Sequence, residues 1–193
     1  MTCRPLPLLL LPLLLAACGS GVKVGGSTSS APNPVDAPPA AVGATAKPNP
    51  GDQTQTAAEA QLLRELNAAR AVGRTCGNQY MPAVGALTWN GYLAKSARAY
   101  AQDMAARSFF AHVDPEGGTF EKRNEAAGYT GWKALGENII GGYALGEMTA
   151  GWLASPAHCA AIMAPEYDEV GVTFLNQPGS FLSTYGVQEF GAR

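Results

Sequence analysis

The chain has 193 residues, with 13 Lys and Arg against 15 Asp and Glu and a net charge of −2. That length builds one core and hardly two, and the slightly acidic balance excludes a basic nucleic-acid footprint. Only four cysteines and two histidines are present, so metal or thiol chemistry has few residues to draw on.

Residues 1–17 read as an export leader. Met1–Arg4 carries one positive charge, Pro5–Leu15 is a leucine and proline run, and small residues follow; the apolar run is shorter than the about 20 residues a membrane-spanning helix needs. The Leu15-Ala16-Ala17-Cys18 ending resembles a bacterial lipobox, in which Cys18 is lipidated and becomes the mature N-terminus. The alternative is a plain signal peptide cut near Ala17. Either way Cys3 leaves with the leader. With Cys18 lipidated, Cys76 and Cys159 are the two thiols left in an oxidising compartment, which predicts a disulfide between them. Residues 18–55 are rich in Gly, Ser, Pro, Ala, Asn and Thr and carry no aromatic residue. Such a segment buries too little apolar surface to order itself, so it reads as a disordered tether. The folded domain is expected over 56–193.

In that domain Thr56-Ala-Ala-Glu59 is a capping box, and Leu62, Leu66 and Ala69 recur at helical spacing up to Gly73. A second helix is expected from Asn90, with Leu93, Ala97, Tyr100 and Met104 on one face. Thr119 to Ala127, closed by Gly128, is a third, and Glu147 to Ala154 a fourth. Ser155 then reads as an N-cap with Pro156 in the first helical position. Val170, Val172 and Phe174 alternate as a strand, Gln177-Pro178-Gly179-Ser180 is a turn, and Phe181 to Val187 is the return strand. Helices followed by a terminal hairpin indicate an α/β (α+β) domain.

The residues that carry chemistry are His112, Glu137 and His158. His158 and Cys159 are neighbours in the first turn of a helix, where side chains point about 100° apart. A Cys–His nucleophile pair is therefore disfavoured, and Cys159 is expected to face Cys76. His112 sits where a helix ends in a loop, and Glu137 between glycines in what reads as a turn. Spacing alone leaves open whether the three form one site or are separate structural residues. No H-E-x-x-H, G-x-S-x-G or P-loop motif is present.

The segments "LLRELNAARAVGRTCG", "ALTWNGYLAKSARAYAQDMAA", "FFAHVDPEGGTFEKRNEAAGY", "LGENIIGGY", "GWLASPAHCAAIM" and "YDEVGVTF" occur in this order. Together they resemble the bacterial branch of the CAP superfamily of cysteine-rich secretory, antigen 5 and pathogenesis-related class 1 proteins. The resemblance implies a three-layer α-β-α sandwich in a single domain, with an open cleft where His112, Glu137 and His158 meet. Arg123 matches a family arginine near the cleft, and Asn138 belongs to the Gly-Glu-Asn segment that lines it. Ser155 stands where better-known eukaryotic members have a second acid. Ala157 and Ala161 replace a common Gly and Asn, and Gly186 replaces a Trp.

Two histidines and one carboxylate suit a divalent ion such as Zn²⁺, with His112, His158 and Glu137 as ligands. Three functions follow as expectations. The first is an exported, membrane-anchored domain, held by the Cys18 lipid at the outer membrane or cell surface, whose cleft binds a lipidic or peptidic ligand. The second is a metal-dependent hydrolase with Glu137 as base, acting on peptide or envelope substrates. The third is an envelope interaction module with a vestigial cleft.

Overall fold

The computed structural model describes residues 54–193. The leader at 1–17, Cys18 and all but the last two residues of the tether lie outside the described residues. At the start of the described residues the Thr54 carbonyl accepts from Arg98 Nη2 at 3.0 Å.

Helix α1 (Ala57–Arg70) begins on the expected capping box: Glu59 N–H donates to Thr56 Oγ1, and Thr56 N–H donates to the Glu59 carboxylate. A hairpin of β1 (Arg74–Cys76) and β2 (Gln79–Met81) follows; three-residue strands are too short to show an alternation in sequence. After β3 (Thr88–Trp89) comes α2 (Gly91–Arg107), capped by Asn90 Oδ1, which accepts from the N–H groups of Tyr92 and Leu93. Helix α3 (Phe120–Ala127) ends on Gly128, and strand β4 (Ala134–Gly141) leads to α4 (Leu145–Ala154) and α5 (Pro156–Ile162). Ser155 precedes α5 as predicted, but its side chain makes no capping hydrogen bond. The fixed φ of Pro156 starts this helix.

Strands β5 (Glu169–Asn176) and β6 (Thr184–Ala192) close the chain. The return strand thus begins and ends later than the Phe181–Val187 expectation. Ser183 is left-handed (φ 62°) and Leu182 N–H is held by the Tyr185 hydroxyl, which keeps the segment before Thr184 out of the sheet. Beyond Val187 the strand continues because β6 has a partner on each side.

The main sheet runs β3-β5-β6-β4, with β3 parallel to β5 and the other pairs antiparallel. Helices α1, α4 and α5 pack with one another on one face, while α2 and α3 cover the other. The result is the α-β-α sandwich. Each face has its own core. Leu62, Leu66, Trp152, Ile162, Val170, Val172 and Phe190 fill one, and Ala97, Tyr100, Met104, Ile139, Tyr185 and Val187 fill the other. Ile139 and Ile140, adjacent in β4, go to opposite cores, as a period of two requires. Helix α2 lies directly on the sheet at Gly171, where a Cβ would stand 2.0 Å from the Ala94 nitrogen. Cys76 and Cys159 form the expected disulfide, joining β1 to α5.

Candidate functional site

Glu137 is not in a turn but in the middle of β4, the last strand of the sheet. The pairing of β4 with β6 fixes what surrounds it. Gly142 N–H donates to Thr184 O, and on the other side of β6 Gln177 N–H donates to Ser183 O. Even-numbered residues of β4 therefore bond to β6, and odd-numbered ones direct their main-chain groups away from it. Glu137 and Glu189 are register partners at a non-hydrogen-bonded position, the kind at which facing side chains come closest.

The Glu137 side chain is completely buried, yet both its oxygens are used. Oε1 lies 2.8 Å from His112 Nδ1 and Oε2 accepts from Arg123 Nη2 at 2.6 Å. Since a carboxylate only accepts, the proton of the neutral imidazole sits on Nδ1, leaving Nε2 with its lone pair. Arg123 is itself held from several sides: Nη1 donates to Gly118 O, Nη2 also reaches His112 O, and its guanidinium carbon lies 3.3 Å from the Tyr100 ring centre. Burial pushes the Tyr100 phenol up to about 12, so its hydroxyl stays protonated and donates to Ala111 O. That bond fixes the loop just before His112.

Behind Glu137 lies a second carboxyl that the sequence reading does not identify. Glu189 is fully buried, and Asn124 Nδ2 donates to its Oε2 at 2.9 Å. Burial first, and the adjacent Glu137 next, push its acid group well above the ordinary glutamate range. The signal lay in parity. Tyr185, Val187 and Glu189 occupy alternate positions of one strand, so a core-facing Tyr and Val place Glu189 inside as well.

His158 lies in the first turn of α5 and is half-buried. Burial, and next the charge of His112, lower its pKa below 6.5, so the two imidazoles are within electrostatic range of each other. Asn138 faces away from Glu137: buried, it donates through Nδ2 to His158 O and to Gln188 Oε1. It thereby ties β4 to α5 and does not line the cleft with a free amide. Among the described residues no three His, Cys, Asp or Glu side chains form a group that could hold a metal ion. The ligand triad expected from the sequence is thus not preassembled, because His112 and Arg123 engage both oxygens of Glu137. Gly186, at the position of the family's Trp, has no room for one. A Cβ there would meet Ile140, Met148 and Trp152 within 3.0 Å.

This sandwich with His112 and His158 at its edge is matched by a model of the cysteine-rich secretory protein family, CAP, over residues 63–190. The chain belongs to that family. It is 29% identical over 119 residues to the uncharacterized membrane protein YlbC of Bacillus subtilis (strain 168), covering 61% of this chain and 32% of that protein. It is 33% identical over 84 residues to the uncharacterized protein YkwD of the same organism, covering 43% of this chain and 32% of that protein. The chain therefore spans less than two thirds of the length of the curated relatives it matches. Its fold is similar to that of an outer surface protein from Borrelia burgdorferi (TM-score 0.60, 22% identity, covering 74% of this chain and 98% of that one). It is also similar to an extracellular protein containing an SCP domain from Bacillus anthracis str. Ames (TM-score 0.57, 22% identity, covering 78% and 45%).

Proposed function

We infer that this chain is a CAP domain of a bacterial envelope whose cleft binds a ligand of lipidic or peptidic class and accepts a divalent ion at its two imidazoles. One observation carries the reading: His112 is 51% exposed while the Glu137 side chain beneath it is 0% exposed. An accessible imidazole oriented by a buried carboxylate and a partly buried arginine is a preorganised contact, since its tautomer and ring plane are set before anything binds. The envelope location is supported by the relatives described as membrane, outer surface and extracellular proteins. The Leu15–Cys18 run supports a lipid anchor. Cys18→Ser should release the protein from the membrane fraction, and unchanged association would remove the anchor from this reading.

For a metal, the donor set fits two ligands and not three. Nε2 of His112 and the His158 ring would bind, with Glu137 holding His112 from behind as metal-ligating histidines are commonly held. A divalent ion so placed would act as a Lewis acid towards a bound ligand. The hydrolase reading is weaker because Glu137, its only candidate base, is engaged through both oxygens. Calorimetric titration of the full chain with Zn²⁺ tests the site. Binding is expected to be weak and to be lost in His158→Ala. It should weaken as pH falls, since ligation needs both imidazoles neutral, with the lowered pKa of His158 moving its part of that loss to lower pH. Equal affinity in wild type and His158→Ala would place the ion elsewhere. Vesicle and peptide binding by wild type and His112→Ala test the ligand cleft separately.

A further inference from the structure

Strand β4 is an edge of the sheet, partly exposed from Ala134 to Glu137 and buried from Asn138 to Ile140, and it lacks two of the devices that normally protect one. Edge strands are commonly kept short, or carry lysine or proline, to stop another chain from pairing with them. The opposite edge, β3, is two residues long. Strand β4 has eight, contains no Lys or Pro, and turns its one charged side chain, Glu137, inward onto Arg123. Because the Glu137 side chain is 0% exposed while the residue as a whole is partly exposed, what it presents to solvent is main chain. Parity assigns the outward groups to Leu135, Glu137, Ile139 and Gly141. The Leu135 carbonyl is taken by the Tyr167 hydroxyl at 3.1 Å, and Ile139 is only 5% exposed. Among the described residues, the row left open at this end of the strand is the N–H of Leu135 and both the N–H and C=O of Glu137, with the buried Ile139 separating it from Gly141.

The geometry points to this row as a docking edge for an extended peptide, which adds to the sheet beside β4 with one residue paired to Glu137 through both its N–H and its C=O. The inference rests on the ligand-binding reading of the cleft and specifies the ligand as a polypeptide main chain. The chemistry favours that occupant, since a donor and an acceptor on one residue, repeated at strand spacing, are what a peptide backbone offers. Lipid acyl chains offer neither group. A carbonyl of the peptide would meet Leu135 N–H two residues along. Side chains on the α2 and α3 side of the added strand would face the loop that carries Phe110, His112 and Val113, all exposed. The site therefore favours a peptide with an apolar residue at the position that pairs with Glu137 or two residues from it.

The test uses the full chain and a displayed random heptapeptide library. Heptapeptides retained on the protein are synthesised and added while amide hydrogen exchange is followed by NMR. Binding should slow exchange at Leu135 and Glu137 at least tenfold and leave Gly136 and Asn138, already bonded to β6, unchanged. Methylating the peptide nitrogens one at a time should weaken binding at least tenfold only at amides that face β4, giving an alternating pattern. Leu135 and Glu137 amides that already exchange slowly in the free protein would mean that the chain's own residues cover the edge, and would overturn the inference. Heptapeptides that bind, lose affinity in His112→Ala and leave those two amides unchanged would also overturn it, while the cleft reading survives. Failure to retain any heptapeptide overturns it as well, leaving the cleft reading to the vesicle and zinc measurements.

Discussion

Glu189 is the residue whose behaviour the surrounding structure changes most. It is a fully buried acid directly across the strand pair from another acid, with Asn124 as donor to one oxygen. Its folded pKa lies well above the unfolded value of 4.5, which sets the sign of its linkage. Below 4.5 the carboxyl is protonated in both states and imposes no penalty. Above it the unfolded chain releases the proton while the folded chain retains it, so stability falls as pH rises toward the folded pKa. Glu189→Gln keeps the shape, the acceptor for Asn124 and a donor toward Glu137, and removes the ionisation. Thermal unfolding should show a higher Tm for the variant at pH 8, with little difference at pH 4; a gain of about 1 kcal/mol corresponds to roughly 4 °C for a domain of this size. A lower Tm at pH 8 would mean that the charged form is the one the fold requires. Sequence reading identified His112, Glu137, Arg123 and His158 because each lies in a short recognisable motif. It did not identify Glu189, Asn124 or Tyr100, whose importance comes from partners 65, 65 and 11 residues away.

Between elements, Arg70 links the end of α1 to the end of α5. It is 1% exposed, and its guanidinium donates to the carbonyls of Gly85, Ile162, Ala164 and Tyr167. Ile162 is the last residue of α5, so the arginine supplies donors to carbonyls that a helix end leaves open. Arg70→Met should keep most of the packing but strand several buried acceptors at about 1–3 kcal/mol each. Denaturant unfolding should therefore register a loss of about 3 kcal/mol or more, and a loss below 1 kcal/mol would show that water replaces the guanidinium. In sequence Arg70 is simply the basic residue in the last turn of a helix. The elements themselves were more legible. The capping box at Thr56, the start of α2 at Asn90 and Gly128 at the end of α3 are local features, and all three stand where the spacing predicts. Strand β4 was not legible, because "LGENIIGG" reads as a glycine-bounded turn until β6 is there to pair with it.

At the scale of the whole molecule, the disulfide spans 83 residues of sequence and closes the β1 hairpin onto α5, the helix that carries His158. A closed loop of that length constrains the unfolded chain strongly, by about 4 kcal/mol in the entropic model. Paired substitution of Cys76 and Cys159 with alanine should lower stability by up to that amount in denaturant titration, and a change below 1 kcal/mol would show that other contacts already fix α5. The pairing of Cys76 with Cys159 follows from the cysteine count, and the α-β-α class from the ordered helices, the terminal strands and the resemblance of six segments to CAP domains. These are properties of local pattern and composition, which a sequence carries in full. The tertiary structure alone decided that Glu137 lies in an edge strand with both oxygens engaged, that Asn138 turns to the opposite face, and that Glu189 sits behind the site. Each depends on the register of β4 against β6, and that register is fixed by two cores filling on opposite faces of one sheet, not by any stretch of residues read alone.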